Sequence, residues 1–127
     1  MDRTITLGVT LIAGAALGAA AISGLQAQAK APGAYAIVEV SEIVDADLLK
    51  QLLPKTGPAV KAGGGQFLAR SDKITPLVGD PPKRFVIIAF DSVAQAKDWH
   101  RSPAQQEVNA MVEKAERVRS FIVDSAM

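Results

Sequence analysis

From Lys30 onward the spacing of apolar positions changes several times, and Gly, Pro, Asp or Ser marks each change. Residues 35–41 alternate, with Ala36, Val38 and Val40 on one face and Tyr35, Ile37 and Glu39 on the other, which is the period of a strand. Asp45 or Asp47 then caps a helix whose Leu48, Leu49, Leu52 and Leu53 recur at helical spacing. Pro54 and Gly57-Pro58 predict a kink or break there, because each proline removes a backbone donor and crowds the preceding turn. A second short turn, 59–62, stops at Gly63-Gly64-Gly65. Residues 66–71 read as the second strand, followed by a turn at Ser71-Asp72-Lys73 and a short extension, 74–78. After Gly79-Asp80-Pro81-Pro82 comes the strongest strand, 84–90, apolar on both faces and β-branched in the middle, as a central strand requires.

Two helix starts share one chemistry. Ser92-Val93-Ala94-Gln95 is a capping box, and Ser102-Pro103-Ala104-Gln105 repeats it with proline at the first helical position, where a missing N–H costs nothing. Val108, Met111, Val112, Ala115 and Val118 form one stripe on the last helix, and 120–124 is a final short strand. The order strand, helix, strand, strand, two-piece helix, strand implies a split βαβ arrangement: an α+β domain with a four-stranded antiparallel sheet and helices on one face. The other face carries aliphatic side chains too, and nothing in the chain is left to cover it; a homodimer is the expected solution.

Residues 1–29 have the pattern of a signal peptide. Arg3 supplies the positive end, 5–22 are uncharged and apolar, and Ala27-Gln28-Ala29 fits a small-x-small cleavage site before Lys30. The alternative is a membrane anchor over 5–22, a stretch of roughly 18 residues. Its many Ala and Gly residues make it weakly apolar, which favours cleavage and a periplasmic domain over 30–127. The 14 Lys and Arg then lose Arg3 and the 13 Asp and Glu lose Asp2, so the domain stays near neutral. A near-neutral chain lacks the clustered positive charge that displaces counterions from phosphate, and nucleic acid is not an expected partner. There is no cysteine, so the core alone, or the core plus a partner subunit, must hold the domain without disulfides.

Tyr35-Ala-Ile-Val-Glu39, Gly64-Gly-Gln-Phe-Leu-Ala-Arg70, the Lys83 to Phe90 strand, Asp91-Ser92-Val-Ala-Gln-Ala and Trp99-His-Arg-Ser102-Pro103 resemble a small bacterial family. It is the domain-of-unknown-function family numbered thirteen-thirty, and the resemblance covers essentially the whole of 30–127. It implies the dimeric α+β barrel superfamily, with a ferredoxin-like fold in which two sheets face each other around a cavity. The superfamily includes monooxygenases, haem-degrading enzymes, chlorite dismutases and stress-responsive proteins, so the resemblance informs fold more than chemistry. The family pattern commonly has an aromatic residue and then a small acidic or polar one before Ser-Pro; Trp99-His100-Arg101 departs from it.

His100 is the one histidine in the chain, so no ordinary zinc site can be assembled and haem ligation would rest on this residue alone; no metal or cofactor is expected. Its plain reading is a solvated histidine near a helix C-terminus, and its functional one is ligand contact or proton transfer. Glu39 is a mid-strand carboxylate that needs a partner if buried, with Arg70 and Arg84 as candidates. It is read as a structural or interface ion pair, or else as an acid or base in a cavity. Trp99 anchors helix to sheet or lines a pocket. Gly63-Gly64-Gly65 lacks the Lys-Ser/Thr of a phosphate-binding loop, and no serine sits in a nucleophile elbow. Tyr35, Glu39, Arg70, Arg84, Trp99 and His100 are therefore the candidate ligand contacts, with Glu39 and His100 the candidate catalytic groups. The expected function is binding of a small apolar or aromatic molecule between sheets. The alternatives are a non-catalytic structural or stress-related envelope dimer with a filled interface, and a cofactor-free monooxygenase- or isomerase-like enzyme.

Overall fold

The computed structural model describes residues 31–125, and the expected signal segment lies outside them. The elements run β1 (Ala34–Ile43), α1 (Ala46–Ala62), β2 (Gln66–Ser71), β3 (Arg84–Phe90), α2 (Val93–Arg101), α3 (Pro103–Ala115) and β4 (Glu116–Asp124). The strands form one antiparallel sheet in the order β2-β3-β1-β4, so β3 and β1 are central, as the apolar run of β3 requires.

Strand pairing fixes which side chains share a face. Opposite Ala36 lie Ile88 on β3 and Ile122 on β4, and opposite Val40 lie Arg84 and Val118. This is the face that the helices cover: Ala36, Val86, Ile88 and Phe90 pack with Val60 of α1 and with Ala96 and Trp99 of α2. A second cluster, Leu52, Ala59, Val108 and Ala115, joins α1 to α3. On the other face Ile37 pairs with Ile87 and Phe121, and Tyr35 with Ala89 and Val123. Phe121 and Val123 are each 43% exposed there.

Four expectations need correction. α1 is one continuous 17-residue helix that contains Pro54 and Pro58. The broken turn expected at 59–62 is its last turn, because burial of Leu52, Ala59 and Val60 on a common stripe keeps the helix continuous past both prolines. Side chains serve the backbone beside the first proline: Thr56 Oγ1 and Arg70 Nη2 both donate to Leu53 O, at 2.8 and 3.2 Å. The extension expected at 74–78 forms no strand, and Leu77 and Val78 are almost fully exposed. The last helix ends at Ala115, so Val118 belongs to β4, which starts at Glu116 and not near 120. Val118 keeps an apolar place in both periods, and so the stripe ran past the true boundary.

The caps follow the sequence more closely. Asp45, not Asp47, caps α1 by accepting from Leu48 N. Ser92 Oγ accepts from Gln95 N, while Gln95 Oε1 reaches back to Asp91 N, one residue before the cap. Ser102 Oγ accepts from Gln105 N, but the Gln105 side chain turns away to Asn109. That departure matters for the site.

Candidate functional site

Beneath α2 and α3, against β1 and β4, is a cavity of about 260 Å³. Ala36, Val38, Val118 and Ile122 give it an apolar floor, and Trp99, His100, Gln105 and Asn109 supply its polar wall. A smaller space of about 70 Å³ shares Val38, Trp99, Gln105 and Val112 with it and adds Arg70, Arg84 and Glu116. The two are neighbours separated by common side chains.

Trp99 reaches this place because α2 is short and capped at both ends by serine. The C-cap that follows it, Ser102, donates its hydroxyl to Trp99 O at 2.7 Å, fixing the last turn. The Trp99 ring packs on Phe90 with centroids 5.1 Å apart and meets the His100 ring edge-on at 5.9 Å. Three glycines let α1 end close by. A Cβ on Gly63 would come within 2.7 Å of Trp99 Cβ and Cδ1, and one on Gly65 within 2.8 Å of the Phe90 ring. Gly64 has φ +80, a left-handed conformation that suits glycine. The triple glycine is therefore a close-approach device and not a phosphate cradle.

At the inner end, Arg84 Nη2 donates to Glu116 Oε1 at 2.5 Å, with side-chain exposures of 13% and 1%. Arg84 begins β3 and Glu116 begins β4, on either side of β1. Arg70 donates to Thr56 Oγ1 at 2.8 Å and lies over the Phe67 ring at 4.8 Å. Desolvation, and after it the like charge of Arg84, push Arg70 below its ordinary value.

Among the described residues, four buried side-chain atoms lack a hydrogen-bond partner: Arg84 Nε, Trp99 Nε1, Gln105 Oε1 and Glu116 Oε2. All four belong to side chains that line these two spaces. Unpaired buried polar atoms are uncommon because each costs about 1–3 kcal/mol of desolvation. Their concentration around these two spaces makes this the candidate site.

The sequence candidates divide between the two sheet faces. Trp99 and His100 line the larger space, and Arg70, Arg84 and Trp99 the smaller one. Tyr35 and Glu39 stand on the opposite face of β1. Glu39 takes neither Arg70 nor Arg84 as partner: Arg119 Nε and Nη2 both donate to its Oε2, at 2.8 and 2.5 Å. The physical reason is parity, since Arg70 and Arg84 pair with Val86 and Val40 on the helix-covered face, whereas Arg119 sits directly across from Glu39. Sequence reasoning missed Gln105, Asn109 and Glu116. Gln105 and Asn109 stand four apart, the spacing at which amides meet on a helix. Glu116 was hidden by the overrun of the last helix.

The described residues hold no cluster of three or more His, Asp or Glu side chains able to bind a metal ion, and no helix long and apolar enough to cross a membrane. An α+β ferredoxin-like fold with a helix-side cavity is thus the class of molecule defined here. The chain belongs to the family described as Domain of unknown function (DUF1330), whose model matches residues 33–126. Among curated proteins none matches it. It is similar to the RPA0582 protein of unknown function from Rhodopseudomonas palustris, at 15% identity and TM-score 0.58 over 84% of this chain and 92% of that one. It is similar also to SnoaB, a cofactor-independent oxygenase from Streptomyces nogalater (8% identity, TM-score 0.53, 76% and 96% covered). A dimeric ferredoxin-like protein of unknown function from Thermobifida fusca is a third (14%, 0.52, 75% and 92%). At these identities the likeness shows the fold, which many activities share.

Proposed function

We propose that the protein is an exported homodimer that binds a small, mostly apolar molecule between its helix layer and its sheet. The observation that carries this reading is the gathering of Arg84 Nε, Trp99 Nε1, Gln105 Oε1 and Glu116 Oε2, all without protein partners, around apolar-floored spaces of about 260 and 70 Å³. A few polar groups placed in an apolar pocket are what orients a small ligand. Binding is favoured over catalysis by Glu39, because that carboxylate is engaged by Arg119 and stands on the face away from the cavity.

The dimer is supported by the open face, where Tyr35, Ile37, Phe85, Ile87, Phe121 and Val123 share one side of the sheet. The Thermobifida fusca neighbour is described as dimeric. Export is supported by Arg3, the apolar run 5–22 and the Ala27-Gln28-Ala29 site.

Native mass spectrometry of protein recovered from its own host tests all three parts. The expected spectrum is of two chains, each beginning at Lys30 and each holding a small molecule. Val112→Phe, which fills the space, is expected to keep the dimer and lose the ligand. Recovery of empty chains from both the parent and the variant would refute the binding reading. An intact Met1 would refute cleavage, and a lone subunit in dilute solution would refute the dimer.

A further inference from the structure

Resting on that binding reading, we propose that the ligand is an uncharged molecule with an apolar body and a hydroxyl head, recognised by Trp99 and Gln105. The Trp99 indole N–H can only donate, and it has no partner in the protein. The direction of the Gln105 amide is set by a relay that starts at a backbone carbonyl. His100 O accepts from Gln106 Nε2 at 3.2 Å and from Asn109 Nδ2 at 3.3 Å. A carbonyl cannot donate, so Asn109 must turn its nitrogen to it and its oxygen to Gln105. Gln105 Nε2 then donates to Asn109 Oδ1 at 2.9 Å, which leaves Gln105 Oε1 as a fixed, unpaired acceptor.

Trp99 and Gln105 both line the two spaces, and a donor and an acceptor that each lack a protein partner call for a group that both accepts and donates, of which a hydroxyl is the smallest neutral one. A carboxylate has no proton for Gln105 Oε1, and an ammonium has no lone pair for Trp99. No Lys, Arg, Asp or Glu lines the larger space; in the smaller one Arg84 and Glu116 face each other, and Arg70 is held by Thr56 Oγ1 and Leu53 O. The larger space therefore offers no formal charge to attract an ion. Apolar cavities of about 150 Å³ hold a benzene ring. A space of about 260 Å³ suits a body of one or two rings.

Three compounds of one shape separate the outcomes: 2-indanol, indane and indane-2-carboxylate, titrated into the full chain by calorimetry. Trp99 is the single tryptophan, so its emission, excited beyond the indane absorption, reports whether the compound sits at this site. 2-Indanol is expected to bind about tenfold or more tightly than either analogue, in line with the worth of a buried hydrogen bond. Gln105→Leu removes the acceptor, and Asn109→Leu frees the amide to reverse. Both are expected to abolish the preference for 2-indanol while keeping the affinity for indane, which also shows that the cavity is intact. Equal binding of 2-indanol and indane, tighter binding of the carboxylate, or a preference unchanged in both variants would overturn the hydroxyl assignment and leave the binding reading standing. Failure of all three compounds to bind or to change Trp99 emission overturns both.

Discussion

Glu116 shows what one side chain contributes, because its carboxylate is 1% exposed and is paired with Arg84 at 2.5 Å. Desolvating both charges offsets much of their attraction, so the pair is a modest source of stability while intact. Removing one partner is different. Arg84→Met leaves a buried carboxylate alone and is expected to lower unfolding stability by about 3–5 kcal/mol in a denaturant titration. The double variant Arg84→Met with Glu116→Leu is expected to regain most of that loss. If the two single effects simply add, the pair is not coupled. Gly63 makes a steric counterpart: Gly63→Ala sets a methyl 2.7 Å from Trp99 and is expected to cost about 1–3 kcal/mol and to shift Trp99 emission. At this scale the sequence disclosed residue types better than partners. Trp99 as anchor was legible from its place on an amphipathic helix. The Glu39–Arg119 pair was not, because it depends on which residues of β4 face β1, and the start of β4 was concealed in a helical stripe.

α1 is the element in which local preference and tertiary packing disagree most. Its internal prolines forbid two helical hydrogen bonds, yet Leu52, Ala59 and Val60 are buried along one side and keep the helix whole. Pro54→Ala restores a donor at an exposed position and is expected to raise stability by about 1–2 kcal/mol, less than the full proline penalty because the unfolded chain also gains freedom. Thermal unfolding measures it, and a lower melting temperature would mean that Pro54 itself stabilises the folded chain. Lys55 of α1 meets Glu107 of α3 at 2.8 Å, and this hydrogen bond holds the Glu107 carboxyl below its ordinary value. A depressed carboxylate gives stability that is present above its unfolded value and lost as pH falls through the folded one. The melting-temperature difference between Glu107→Gln and the parent is therefore expected to be small at neutral pH, to shrink in added salt and to vanish in acid. Strands β2 and β3 and both serine caps were legible because alternation and capping are local signals. Continuity across Pro54 and Pro58 was not, since it is decided by what α1 packs against.

Among the described residues the sheet has two apolar faces and helices for one of them. Ile87 lies near the middle of the uncovered face, across from Ile37 on β1 and Ala69 on β2, and belongs to neither helix-side cluster. A twofold dimer through this face brings the same patch of each subunit together, so a lysine at 87 places like charges in a dry contact from both sides. Ile87→Lys is expected to convert the proposed dimer to monomer, as read by sedimentation at micromolar concentration, with the circular dichroism of the helices unchanged. The same variant separates two places for the ligand. A cavity lined by Trp99, Gln105 and Val118 belongs to a single subunit, so the monomer should still bind 2-indanol with little loss of affinity. A chamber formed between two sheets would instead disappear with the dimer. Loss of binding in step with dissociation would move the ligand to the Tyr35 and Glu39 face, and retention would keep it beneath the helices.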